Sequence, residues 1–248
     1  MSNIGNTIKF IQKTDSTNKY TNKYISENEV ENGTVFLAYE QTDGKGHLNN
    51  HWESEAGMNL TLSIFLKSDF ITVSKQYMIS KIVCLGIKKF LGRFINESVT
   101  IKWPNDIYVG TRKICGILIE NAIMYTLIDY SIIGIGLNIN QISFSESLPN
   151  PVSLKMITGK DYKTEELLTI LLNDIDHFYD LLKAGRTDDI DICFKQSLYR
   201  FETVALFKDA NNEFYGTIKG VDDIGQLMIE KNNRIMHLYH FKEIVFIH

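Results

Sequence analysis

The chain has 248 residues, 44% of them hydrophobic and 23% charged, and a formal net charge of −4. This balance predicts an ordinary globular protein with one large domain and room for a small second one. It argues against binding to nucleic acid through overall positive charge. The N-terminal residues lack the pattern of a signal peptide, and no run of about eighteen apolar residues occurs, so we expect neither export nor membrane insertion.

The three cysteines, Cys84, Cys115 and Cys193, are widely spaced and form no Cys-x-x-Cys pair. Their apolar sequence neighbours lead us to interpret them as reduced thiols of the core, which is typical of a reducing compartment. We therefore expect a cytoplasmic location.

The chain opens with a strand and a helix. The strand is predicted at residues 7–12, and the helix after it places Tyr20 and Tyr24 four residues apart on one face. Two β-rich runs then flank a polar, glycine-bearing segment, residues 42–57, which we predict to be a long loop. A helix follows over residues 73–94.

Five runs in the middle of the chain are rich in β-forming residues and lie close together. They cover residues 99–103, 106–109, 113–120, 124–130 and 131–140. Such spacing is typical of a mixed or mostly antiparallel sheet, and the pattern shows no parallel strand–helix–strand alternation.

The last third of the chain changes from helical to β texture. An amphipathic helix is predicted over residues 164–185, with Thr164 as its N-cap, and a shorter helix follows. After about Arg200, short β runs alternate with Asn-Asn, Asp-Asp and Gly turns. We predict an α+β fold, with a mixed or antiparallel central sheet and flanking helices over residues 1–200 and a small SH3-like β-barrel over residues 201–248.

The first candidate site is the loop that contains Gly44, Lys45, Gly46 and His47. Glycines allow backbone N–H groups to approach an anionic ligand, and Lys45 can supply the compensating charge. A mobile surface loop of turn residues is the alternative. His47 and His51 stand four residues apart, but no third ligand lies at a fixed spacing, so we predict no metal site.

The second candidate site is the turn formed by Trp103, Pro104, Asn105 and Asp106 between two β runs. An extended residue before proline, followed by two turn-forming polar side chains, can direct a carboxylate outward. A structural hairpin with Trp103 in the core is the alternative.

Lys113 begins the strand that follows this turn, close to Gly116. The missing side chain of Gly116 allows a ligand to approach the backbone. Lys113 is then either exposed to solvent or directed at an anion.

The third candidate is the glycine-bearing segment at residues 134–140. It lacks the third glycine and the strand–turn–helix context of a dinucleotide-binding fingerprint. Instead, Asn138 and Asn140 alternate on one face, where they can hydrogen-bond a heterocycle or cap a sheet edge.

In this order, the motifs resemble those of the biotin-protein ligase family. The matching stretches extend over essentially the whole chain and read DSTN, EQTDGKG, WESEAGMNLTLS, KWPNDIY, KICGILIE and GIGLNIN, followed by the small C-terminal barrel. The resemblance implies a class II synthetase-like catalytic domain. Because the first catalytic strand begins near Thr7, it also implies the short form without an N-terminal DNA-binding domain, so DNA binding is not expected.

The resemblance implies an ATP-dependent ligase with two steps. Biotin and ATP give biotinyl-5′-AMP and pyrophosphate, and a lysine of a biotin carboxyl carrier protein or domain then attacks the adenylate to form an amide. Mg²⁺ is expected with ATP, held mainly by phosphate oxygens and water. The implied partner belongs to a biotin-dependent carboxylase, and monomer and homodimer both remain open.

The same resemblance implies roles for individual residues. The implied catalytic residues are Lys45, Asp106 and Lys113, of which Asp106 is a candidate general base. The implied biotin-binding residues are Ser16, Thr17, Asn18, Gln41, Lys45, Gly46, His47, Lys113 and Gly116. The implied ATP-binding residues are Gly44, Trp52, Asn105, Asn138 and Asn140.

One departure from the family pattern and two alternatives stay open. His47 and Asn50 stand where many family members have arginines, which predicts weaker retention of the adenylate because arginine binds phosphate through a charged, bidentate fork. A lipoate ligase or related acyltransferase is the nearest rival function. A non-catalytic biotin-binding regulatory module is the second.

Overall fold

The computed structural model describes residues 3–46, 50–232 and 234–247. Within these ranges the strands are β1 (Ile8–Thr14), β2 (Val35–Gln41), β3 (Leu60–Lys67), β4 (Val99–Lys102), β5 (Asp106–Val109), β6 (Arg112–Met124), β7 (Leu127–Leu137), β8 (Val204–Lys208), β9 (Glu213–Val221), β10 (Leu227–Lys231), β11 (Met236–Tyr239) and β12 (Val245–Phe246). The α-helices are α1 (Thr17–Glu27), α2 (Tyr77–Leu91), α3 (Leu154–Thr158), α4 (Thr164–Lys183) and α5 (Thr187–Ser197).

The first seven strands form one mixed sheet in the order β1-β2-β3-β7-β6-β5-β4. Its neighbouring strands are antiparallel except for β1 and β2, which run parallel. The expected fold class is therefore confirmed, but the expectation that parallel strand–helix–strand alternation is absent is wrong at this edge. A parallel pair needs a crossover connection, and α1 supplies it.

Two long strands replace three of the short β runs predicted in the middle of the chain. β6 continues to Met124, and β7 begins at Leu127 and ends at Leu137. The turn between them places Tyr125 at φ 58°. Both strands have inward side chains along much of their length, so a continuous hydrophobic run does not mark where one strand stops.

The helices divide the faces of this sheet unequally. α2 packs between the sheet and α4, and α5 also contacts α2, so this side contains the main hydrophobic core. α1 packs on the opposite face, over a small cluster that contains Ile11, Phe36 and Phe65. Beside the N-terminus of α1, on the same face, residues of β5, β6 and β7 line a cavity.

The predicted helix at residues 164–185 is α4, whose buried side chains include Leu167, Leu171 and Ile175. Thr164 is its first helical residue, and Lys163 occupies the N-cap position. The predicted role of Thr164 as the cap is therefore wrong.

The C-terminal strands form an antiparallel sheet in the order β11-β10-β9-β8-β12. The β texture and the SH3-like size were predicted correctly, but β11 and β12 lie at opposite edges, so the described strands form an open sheet and not a closed barrel. Its buried residues Phe207, Ile218 and Ile229 belong to the same hydrophobic cluster as the larger sheet. The proposed division at residue 200 stays a prediction.

Two of the three cysteines lie in the core as predicted. Cys84 and Cys115 are buried, and burial raises the pKa of both thiols, whereas Cys193 is exposed on α5. The prediction for Cys193 is wrong because Ile190 and Phe194, at helical spacing, face inward and turn Cys193 outward. None of the described helices is both long enough and apolar enough to span a membrane.

We predict that Gly86→Ala destabilises the fold at the crossing of α2 and α4. A Cβ atom at this position would lie 2.7 Å from the Cα of Ile175. The overpacking should cost about 1–3 kcal/mol, more than the gain of about 1 kcal/mol in helix propensity. Urea unfolding measures the difference. Gly92→Ala is the control, because a Cβ atom there would lie 3.5 Å from the carbonyl oxygens of Lys88 and Lys89. Equal stability of both variants would contradict the prediction.

Candidate active site

Two cavities open on the sheet face that α1 leaves uncovered. Their volumes are about 310 Å³ and about 390 Å³. Both are lined by Asn50, His51, Trp52, Asp106 and Lys113, so the cavities meet at these five residues. The arrangement suits two ligands, or one two-part ligand, whose reacting groups come together at the junction.

An ion pair lies at this junction. Lys113 Nζ is 2.8 Å from Asp106 Oδ1, and the side chains are 30% and 23% exposed. β5 and β6 hold the pair in place, because Asp106 lies opposite Gly116 in the antiparallel register. Since solvent screens a partly exposed pair, an incoming anion can compete with Asp106 for the ammonium group at little cost.

A second lysine lies close to this pair and was not predicted as a site residue. Lys102 lines the first cavity, and its Nζ donates a hydrogen bond to Tyr108 Oη at 3.3 Å. Burial lowers the pKa of Lys102, the charge of Asp106 opposes this shift, and the charges of Arg200 and Lys113 add to it. The signal in the sequence was its position directly before Trp-Pro-Asn-Asp. The first cavity thus has two lysines near one carboxylate.

The far end of the first cavity collects four residues predicted to bind biotin, namely Ser16, Thr17, Asn18 and Gln41. The Thr17 backbone N–H donates to Gln41 Oε1 at 2.8 Å. Asn18 is held by the protein at both ends of its amide: Oδ1 accepts from Ser63 at 2.7 Å, and Nδ2 donates to Glu120 at 2.9 Å. Sequence reasoning missed Ser63 and Glu120 because only the folded sheet brings them to Asn18.

Trp52 lies on a floor of glycine backbone. Gly116 and Gly136 face each other across β6 and β7, and a Cβ atom on Gly136 would collide with the indole ring. The Trp52 Nε1 donor and the Asn138 Oδ1 acceptor are both buried without a hydrogen-bond partner among the described residues. A buried unpaired polar atom is costly, so this free donor and free acceptor suit a heterocyclic ligand.

The two other asparagines predicted to bind ATP have structural bonds. Asn105 lines the first cavity, and its Nδ2 donates to the Ile117 carbonyl while the Ile117 N–H donates back to the Asn105 carbonyl at 3.0 Å. The Asn140 amide is bonded at both ends to the backbone of Tyr162, at 2.7 and 3.0 Å. Asn140 is absent from the linings of both cavities, so the fold does not bring it to the other predicted residues.

The glycine loop reaches the site through Lys45 and Gly46, which line the first cavity. Gly44 accepts a hydrogen bond from the Trp52 N–H at 2.8 Å and so positions the start of the tryptophan segment. His47, predicted to bind biotin, lies outside the described residues. Within the described ranges, no three His, Cys, Asp or Glu side chains come together in a way that could hold a metal ion.

The C-terminal sheet also contributes to the first cavity, through residues that the sequence analysis did not identify. The residues that line it from this part of the chain are Phe241, Ile244, Val245 and Phe246. No local pattern marks these residues, because their position depends on how the second sheet packs against the first.

The family model described as "Biotin/lipoate A/B protein ligase family" matches residues 10–138. The chain belongs to this family. It is 28% identical over 228 residues to the "Bifunctional ligase/repressor BirA" of Bacillus subtilis, with 90% of this chain and 70% of the relative covered. It is 24% identical over 225 residues to the "Biotin--[acetyl-CoA-carboxylase] ligase" of Paracoccus denitrificans, with 88% and 92% covered.

Solved structures agree with the fold. The biotin protein ligase from Aquifex aeolicus in complex with biotin and ATP superposes with a TM-score of 0.80 at 23% identity, covering 97% of this chain and 98% of that chain. The Leishmania major biotin protein ligase in complex with biotinyl-5-AMP gives a TM-score of 0.58 at 19% identity, with 95% and 99% covered. Together with the named relatives, these similarities confirm the resemblance to biotin-protein ligases drawn from the sequence.

We predict that Gly136→Ala displaces Trp52 from the glycine floor. The collision at Gly136 is severe, whereas a Cβ atom on Gly116 would lie 3.0 Å from the ring. The fraction of tryptophan fluorescence that acrylamide quenches should therefore rise most in Gly136→Ala, less in Gly116→Ala and not in Gly92→Ala. The only other tryptophan is Trp103, which is 5% exposed and stays protected. Equal quenching in all three variants would contradict the packing of Trp52 on Gly116 and Gly136.

Proposed function

We propose that this protein activates biotin with ATP and transfers it to a lysine of a biotin carboxyl carrier protein or domain of a biotin-dependent carboxylase. The observation that carries this proposal is the position of Lys113 and Asp106 where the two cavities meet. Apart from His47, which lies outside the described residues, the residues predicted for biotin line the first cavity, and Trp52 and Asn138, predicted for ATP, line the second. Family membership and the named relatives support the same choice.

In the first step, a carboxylate oxygen of biotin forms a bond to the α-phosphorus of ATP, and pyrophosphate leaves as the bond to its bridging oxygen breaks. Two anions must approach each other, so positive charge is needed where they meet. Lys113 lines both cavities, and Lys45 and Lys102 line the first. We assign these three ammonium groups to the carboxylate and the phosphate.

In the second step, the amine of the carrier lysine attacks the acyl carbon, the bond to AMP breaks, and the amine loses a proton. Asp106 is partly exposed and lies 2.8 Å from Lys113 Nζ, so an incoming side chain can reach it. We assign Asp106 to orienting that amine and accepting its proton.

A Mg²⁺ ion would come to this site with ATP. The described residues form no cluster of three possible protein ligands, which fits an ion held mainly by phosphate oxygens and water. Glu53 lines only the second cavity, whereas Asp106 lines both, so Asp106 would be the acidic residue to contact the ion. Bound in this way, the ion would neutralise phosphate charge.

The test combines the purified protein with biotin, ATP and a biotin carrier domain. We expect the intact mass of the carrier to increase by one biotinyl group and pyrophosphate to be released. A parallel reaction with lipoate and a lipoyl carrier domain tests the other half of the family description. Transfer of lipoate alone would reject the biotin assignment, and binding of biotin without pyrophosphate release would indicate a non-catalytic module.

We predict that Lys113→Ala leaves the fold intact but lowers the rate of adenylate formation. Loss of a charge contact in such a site costs roughly 3 kcal/mol, or about a hundredfold in rate. The matched control is Lys155→Ala. Lys155 is 31% exposed and ion-paired with Asp161 at 2.6 Å, but it lines neither cavity. Pyrophosphate release measures both variants, and a near-normal rate for Lys113→Ala would remove Lys113 from the mechanism.

A further inference from the structure

We propose that Tyr77 of α2 and the turn at Gly225 in the C-terminal sheet form a clamp that positions the Trp103–Asp106 turn for catalysis. This inference rests on the proposed function and extends it to residues that do not contact the reacting groups. Tyr77 lines neither of the two site cavities. It acts as a positioning residue, not as a catalytic one.

Two hydrogen bonds join the clamp to the turn. The Trp103 Nε1–H donates to the Gly225 carbonyl at 2.9 Å, and the Tyr77 hydroxyl donates to the Pro104 carbonyl at 2.8 Å. The two halves of the clamp also touch, because a Cβ atom on Gly225 would lie 2.8 Å from the Tyr77 ring. Gly225 has φ +98°, which favours glycine. Close approach and backbone conformation therefore both require glycine at this position.

Packing alone does not hold the turn on the side that faces Tyr77 of α2. A third cavity of about 170 Å³ lies there, lined by Tyr77, Pro104, Asn105 and Ile224 among others. Where a side chain has no neighbour on one side, it loses the attraction that would keep it in place. The two hydrogen bonds of the clamp therefore restrain the turn where packing contacts are lacking.

Because Asn105 and Asp106 belong to the turn, the clamp also restrains the groups that react. Asp106 is the last residue of the turn and pairs with Lys113 at 2.8 Å. On the other side, Asn105 is tied to Ile117 of β6 by reciprocal hydrogen bonds. Since small displacements of reacting groups cost large factors in rate, loosening the clamp should slow the reaction without removing any group that contacts the ligands.

The primary test compares Tyr77→Phe with Tyr179→Phe. Tyr179 is also buried, and its hydroxyl donates to a backbone carbonyl, that of Lys67, at 2.9 Å. We expect both variants to lose similar unfolding free energy. Only Tyr77→Phe should lower kcat for biotin-dependent pyrophosphate release, on the order of tenfold, with the KM values for biotin and ATP unchanged. Equal kcat in the two variants would overturn the proposal.

A double-mutant cycle tests whether the effect passes through Asp106. In an Asp106→Asn background, Tyr77→Phe should have little further effect on kcat, because residues acting as one unit are not additive. An undiminished tenfold loss in that background would show that Tyr77 acts by another route.

A readout without activity separates this proposal from the proposed function. Hydrogen exchange of the Trp103 indole N–H, followed by NMR, should be slow in the wild type and faster in Gly225→Ala. Unchanged exchange in Gly225→Ala would reject the clamp, whatever the activity. A wild-type protein with protected indole N–H and no biotin-dependent pyrophosphate release would instead reject the proposed function and leave the clamp supported as a structural restraint.

Discussion

The antiparallel pairing of β5 with β6 is the constraint on which the site depends. It places Asp106 opposite Gly116 and brings the carboxylate within 2.8 Å of Lys113. Each charge alone in a half-buried cleft would favour water over the protein, whereas the pair is stable there and still open to exchange with an anionic ligand. The cavities extend to either side of this pair, so the strand register determines where two substrates can meet.

Small residues and one-sided helix packing keep the cleft around this pair open. α2, α4 and α5 bury one face of the sheet, while α1 covers only part of the other. On the open face, Gly116, Gly134 and Gly136 leave room for the side chains of Trp52 and Asn18. Larger residues on these strands would strengthen the sheet but fill the space in which the ligands would lie.

The sequence predicted those features that arise from local pattern or from several motifs in a fixed order. The mixed sheet and the helix at 164–185 belong to this group, and the three catalytic residues implied by the resemblance, Lys45, Asp106 and Lys113, all line the first cavity. The predictions failed at three features: the parallel β1–β2 pair, the exposure of Cys193 and the open C-terminal sheet. The parallel pair and the open sheet depend on contacts between distant segments, which alternation and helical spacing do not encode, whereas the exposure of Cys193 follows from the face of α5 that packs inward.

The shared core of the two sheets has a kinetic consequence. The bond between Trp103 and Gly225 joins residues 122 positions apart, and Phe246 lines a cavity whose other wall begins at Ser16. Closing such large loops costs entropy before the contacts that offset it have formed, which slows the search for the native arrangement. The cleft is therefore complete only once the C-terminal sheet has packed against the larger one, so the binding site depends on the most distant contacts of the fold.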